Sequence, residues 1–220
     1  MTDMIAGGYF LIRPEEVVDN LSRYDLLLHT HFSISSCQSS SSGIAEWAGG
    51  NPEILGVPTE KLEIASQWSQ SEHDKAFGYP NVFYTLQNAK DYVEQFIPDI
   101  PDDLVVLCIA LLQRTAKEVL NEDVCKYGVY QTLERMQQPV ERGKILGYEI
   151  LSFDYGIGHT WLCYGFHDVA YEKYNIKPNA HGFLANESDA QLVIDSIIRI
   201  PPNTKDELWY PWQIIQYEIK

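Results

Sequence analysis

Nine consecutive apolar residues, Leu104-Val-Val-Leu-Cys-Ile-Ala-Leu-Leu112, constrain this chain more than any other stretch. The run is less than half of the about 20 residues a bilayer-spanning helix needs. Its branched side chains, and its bounds at Pro101-Asp-Asp and Gln113-Arg, suit a central buried strand, with a buried helix as the competing reading. Such a strand needs a core around it. A chain of 220 residues can supply one without disulfides or metal, and 45% apolar against 21% charged residues is a globular composition.

Other segments surround that strand with both periodicities. Gly8-Tyr-Phe-Leu-Ile-Arg13 reads as a first strand ended by Pro14, and Asp25–Ile34 as a second extended segment. Ser35–Gly43 holds six serines and reads as an exposed loop, and Gly49–Pro52 as a turn. The spacing of Leu62, Ala65 and Trp68 leaves helix and irregular strand both open. Asn88 is a candidate cap for a helix through Ala89, Tyr92, Val93, Phe96 and Ile97, stopped by Pro98. Helices are also expected near 115–121, 127–138 and 167–174, and from Glu187 to Arg199 behind Asn186 or Ser188 as cap. Between them lies a hairpin. In its first strand Ile145, Gly147, Glu149, Leu151 and Phe153 share one side, Gly156-Ile-Gly158 makes the turn, and His159–Phe166 returns. Trp212–Ile219 reads as an edge or closing strand. Strands mixed unevenly with helices and hairpin signals predict one α+β domain over 1–220, with a mixed or antiparallel sheet and packed helices.

The charge is lopsided. Lys and Arg number 16 against 31 Asp and Glu, a formal charge of −15. Residues 1–110 hold 16 of the acids and 5 of the bases, and no Lys or Arg lies between Arg23 and Lys61. Binding to a nucleic acid or a membrane surface normally starts from a positive patch, so neither is expected, and a basic protein is the easier partner. The start, Met-Thr-Asp-Met-Ile, lacks the basic region and apolar run of a secretory leader, and the cysteines at 37, 108, 125 and 163 form no CxxC pair. Reduced, buried thiols and cytoplasmic residence are the expectation.

Sites for chemistry are sparse. His29 with His31, and His159 with Trp161 and Cys163, share strand sides but not a familiar zinc-ligand spacing. His159 and Cys163 are four residues apart, roughly 13 Å on a strand, too far for direct proton transfer. Asp154, Glu149 and Asp168 flank the turn, yet a pair of carboxylates in so acidic a chain does not define an acid and a base. Gly156-Ile-Gly158 lacks the remainder of a dinucleotide or phosphate loop. No catalytic residue, metal or cofactor is assigned. A small-molecule hydrolase using a histidine, cysteine or carboxylate stays as the alternative.

Aromatic residues cluster at Tyr155–Tyr174 and at Trp209, Tyr210 and Trp212. Tryptophan and tyrosine anchor interfaces, so Asp154, Tyr155, Trp161, Asp168 and Glu172 form the candidate partner-binding set. The same aromatics are compatible with homo-oligomerisation. The segments Gly8-Tyr-Phe-Leu-Ile12, Ser35-Ser-Cys37, Gly147–Asp154 with Gly158-His-Thr-Trp-Leu-Cys163, and His181-Gly-Phe-Leu184 resemble cytoplasmic immunity proteins of bacterial polymorphic toxin systems. The resemblance implies a non-catalytic protein that occludes a cognate effector. With this charge, the expected partner is a basic toxin domain.

Overall fold

The computed structural model describes residues 4–13, 15–16, 30–31, 53, 55–69, 76–77, 82–122, 128–154, 157–161, 166–197 and 208–219. Nine strands are present among them: β1 (Met4–Ile12), β2 (Glu15–Glu16), β3 (Thr30–His31), β4 (Ala76–Phe77), β5 (Val82–Phe83), β6 (Val105–Leu112), β7 (Lys144–Asp154), β8 (Ile157–Thr160) and β9 (Tyr210–Tyr217). Six α-helices join them: α1 (Leu62–Ser69), α2 (Leu86–Phe96), α3 (Gln113–Asn121), α4 (Val129–Met136), α5 (Phe166–Tyr174) and α6 (Glu187–Ile197). Seven strands make one antiparallel sheet in the order β4-β5-β1-β6-β9-β7-β8, and β2 pairs with β3 separately. The expected α+β class with an antiparallel sheet is the observed one.

The apolar run is the middle strand of that sheet. Alternation along β6 sends Leu107, Ile109 and Leu111 to one face and Val106, Cys108 and Ala110 to the other, and all six are buried. Burial on both faces requires a layer on each side, which is why the strand is apolar throughout. Ala116 and Val119 of α3, with Val129, Tyr130 and Leu133 of α4, cover the first face. Ala65 of α1 and Leu86, Ala89, Tyr92, Val93 and Phe96 of α2 cover the second over β1 and β6. Farther along that second face, α5 and α6 cover Ile150 with Ala170, Ala190, Val193, Ile194 and Ile197. Each fully buried large apolar side chain contributes about 1.5–3 kcal/mol, so the three clusters carry most of the favourable folding free energy.

Local chemistry sets the ends of the elements. Thr85, not Asn88, caps α2: its hydroxyl oxygen accepts the Asn88 amide at 3.0 Å, and Asn88 occupies the first turn. The helix stops at Phe96, before Pro98. Asn186 caps α6 as expected, accepting the Asp189 amide at 2.9 Å. The Leu62, Ala65 and Trp68 spacing is helical.

Three further expectations change. β9 lies inside the sheet between β6 and β7, so the C-terminal segment is not an edge. β8 begins at Ile157, inside the segment expected to turn, and ends at Thr160, with α5 starting at Phe166, so the return strand is earlier and shorter than expected. The alternation in β7 breaks at a bulge between Ile145 and Gly147. Ile145 stands opposite Ile215, on the α2 side, while Gly147, Glu149, Leu151 and Phe153 share the other side. Gly147 has φ 144°, and a Cβ there would lie 2.5 Å from the Leu184 carbonyl oxygen. The serine-rich loop, Gly49–Pro52, His29, Cys37, Cys125 and Cys163 lie outside the described residues, as does most of the second extended segment.

Candidate protein-binding face

The two helical layers differ sharply in charge. On the second sheet face, between Leu55 and Asp103, the described acids are Glu60, Glu63, Asp91, Glu94, Asp99, Asp102 and Asp103, against Lys61 and Lys90. On the same face α5, α6 and their connection carry Asp168, Glu172, Glu187, Asp189 and Asp195 against Lys173 and Lys177. On the first face, from Gln113 to Arg135 on α3 and α4, Glu118, Glu122 and Glu134 meet Arg114, Lys117 and Arg135. Among the described residues one side is thus strongly acidic and the other close to neutral. One acid of the acidic side is internally paired: Arg13 at the end of β1 forks onto Asp103, with Nε and Nη2 at 2.7 and 2.9 Å from its two oxygens.

Apolar exposure follows the same division. The large hydrophobic side chains that stay exposed among the described residues are Ile64 (58%), Ile145 (59%) and Leu192 (40%). Ile64 is on α1, beside exposed Glu60, Glu63 and Gln67. Leu192 is on α6, beside exposed Gln191 and Asp195. Ile145, cross-strand from Ile215, projects from the same sheet face. A lone exposed isoleucine is ordinary. Three such residues on the acidic side, with none on the neutral side, make a pattern that combines apolar contact with a charged rim.

The sequence-derived binding set is only partly brought to this surface. Glu172 is exposed and Asp168 half-buried, four residues apart on α5. Asp168 lies 3.4 Å from the Nε2 of buried His167. Asp154 is the last residue of β7, and Tyr155 lies outside the described residues. Trp161 is a correction. It is 0% exposed, sits in the cluster of Ile150, Phe166 and Leu184, and holds His167 edge-on at 6.4 Å between ring centroids. Trp209 and Trp212 are buried as well. Trp212 on β9, and Trp161 and Trp209 beside the ends of β8 and β9, fill the core because helices pack over the sheet there, which sequence clustering alone cannot reveal.

Three described groups of reactive type, Ser152, Cys108 and Glu149, are buried. Ser152 stands directly opposite His159 across β7 and β8, which puts hydroxyl and imidazole on one face, but Ser152 is buried. The thiol of Cys108 is buried, and burial pushes its pKa far up, the reverse of an activated thiolate. Glu149 is buried too. Desolvation raises its pKa well above the usual carboxylate range, opposed only by the Ile150 amide. Among the described residues no three His, Cys, Asp or Glu side chains are grouped to hold a metal ion, and no helix is long and apolar enough to cross a membrane.

Sequence reasoning missed the three exposed apolar residues. For Ile64 a signal existed: it falls out of phase with Leu62, Ala65 and Trp68, so a helix burying those three turns it outward. Compared with known proteins, the chain matches no family model, no curated protein and no solved structure.

Proposed function

We propose that this protein is a non-catalytic, cytoplasmic protein-binding inhibitor of the immunity-protein type, which occludes a basic toxin domain with the acidic side of its sheet. The observation that carries the reading is the coincidence of charge and apolar exposure: Ile64, Ile145 and Leu192 all project on the side where carboxylates outnumber cations. Charge complementarity steers a cationic partner and rejects an anionic one, and exposed aliphatic anchors lower the dissociation rate once contact is made. The arrangement suits inhibition by cover. A partner that itself handles an anionic substrate presents basic residues at its own active site, and an acidic face competes for them.

Asp168 and Glu172 belong to this face through α5, and Glu60, Glu63, Asp91 and Glu94 extend it across α1 and α2. Trp161 supports the face from inside as packing under α5. The test is affinity capture from the native organism across a salt series, followed by purification of the retained protein and measurement of its activity with and without this chain. One near-stoichiometric basic partner, lost as salt rises and inhibited at one-to-one ratio, is the expected result. Recovery of the chain with only itself, even at low salt, overturns the reading.

A further inference from the structure

Among the described residues, two separate pieces of chain pair with the outer edge of β7. At Tyr148 the cover is Leu184: the two residues exchange both backbone hydrogen bonds, each at 2.8 Å. From Leu151 to Asp154 the cover is β8, and the Trp161 amide, one residue past that strand, donates to the Ile150 carbonyl at 3.1 Å. Between them the Ile150 amide has no backbone acceptor opposite it among the described residues. The Oε1 of Glu149 accepts that hydrogen at 3.1 Å. A side chain thus closes the ladder at the one position the two edge segments leave open, and both groups of the bond are buried.

We propose that Glu149 is a proton-gated closure of this edge: protonated, its carboxyl seals the Ile150 amide between Trp161 and Leu184; ionised, it leaves for water and the edge opens there. The inference is independent of the partner-binding reading. Titratable and charged groups on the surrounding elements are Tyr148 and Lys144 on β7, Tyr210 on β9, His159 on β8, His181 before Leu184, Tyr130 on α4, and Glu118 and Glu122 on α3. None of them contributes to the Glu149 shift, which burial alone raises, so no neighbouring cation holds the carboxylate in place. The sign follows directly. The closed form keeps its proton to a higher pH than the open form, so closure is complete below the open-form pKa of about 4.3 and weakens as pH rises toward the closed-form value.

The test is residue-resolved amide hydrogen exchange of the full chain across pH, corrected for intrinsic base catalysis, in the wild type and in Glu149→Gln, whose amide oxygen still accepts but cannot ionise. The expected result is protection of Ile150 that falls about tenfold per pH unit above about pH 4.3, stays below that of Ile109 in the sheet centre, and becomes pH-independent in Glu149→Gln. Parallel loss at Ile150 and Ile109, or an unchanged slope in the variant, overturns the proposal. Should Glu149→Gln fail to fold, the carboxyl carbon shift of Glu149 followed across pH in the wild type decides: a titration midpoint above that of an exposed glutamate supports the proposal, and a midpoint at or below it overturns it.

Discussion

Asn179 donates its side-chain amide to the carbonyl of Leu146 at 2.7 Å, inside the β7 bulge. Its oxygen accepts the amides of His181 and Phe183 at 2.9 and 3.2 Å, so one side chain fastens the approach to α6 onto the sheet. Asn179→Ala leaves these backbone groups without their partner, at a cost of about 1–3 kcal/mol. Urea denaturation of the two proteins checks this, and Asn179→Asp is expected to lose only the donor half. Equal midpoints for Asn179→Ala and wild type would show that water replaces all three bonds.

Gly147 makes the bulge possible. With φ 144° and a built Cβ 2.5 Å from the Leu184 oxygen, Gly147→Ala combines backbone strain with a clash against backbone. We expect a loss of at least about 2 kcal/mol, where a glycine-to-alanine replacement at a compatible position would be stabilising. Thermal unfolding reads it, and a stability within error of wild type contradicts the assigned geometry.

Trp161 and Glu172, neighbours in the sequence-derived binding set, separate cleanly by burial. Trp161→Ala empties a fully buried site and is expected to cost about 3–5 kcal/mol. Glu172→Ala, on an exposed position of α5, stays within about 0.5 kcal/mol. Chemical denaturation of both variants tests the contrast, and a small effect at Trp161 would return that ring to the surface.

Alkaline pH is expected to destabilise the protein. Burial raises the pKa values of Cys108, Tyr9, Tyr92, Tyr130 and Tyr217 above their ordinary values. These groups ionise first in the unfolded chain, so the stability from keeping them neutral is intact below about pH 8.5, where the thiol begins to ionise, and declines above it. The slope steepens near pH 10 as the tyrosines join. Denaturation midpoints measured from pH 7 to pH 10.5 report this, and a flat profile contradicts the burial of these groups.

Much of the fold was legible because periodicity is physical. The branched run at 104–112 and the alternation around 147–153 specify strands, and Ala190, Val193, Ile194 and Ile197 specify the buried stripe of α6. What periodicity cannot carry is strand order. Trp212 looks the same in an edge strand as in β9, and only pairing with both β6 and β7 buries it. The candidate face was half legible for the same reason: its acidity is a sum over residues, while the choice of Ile64, Ile145 and Leu192 over Trp161 as exposed apolar groups depends on which helices lie on which side. Glu149 carried a quiet signal, an acid in phase with Leu151 and Phe153.

The central claim is that the acidic side binds a basic partner. The direct measurement is a binding isotherm, across a salt series, of the captured partner with the variant Glu60→Lys/Glu63→Lys/Ile64→Ala and with Glu118→Lys/Glu134→Lys on the opposite side. The first variant is expected to weaken binding at least about tenfold, a loss of about 1.4 kcal/mol or more, and to flatten the salt dependence, while the second stays near wild type. Equal weakening by both variants, or loss only in the second, would contradict it.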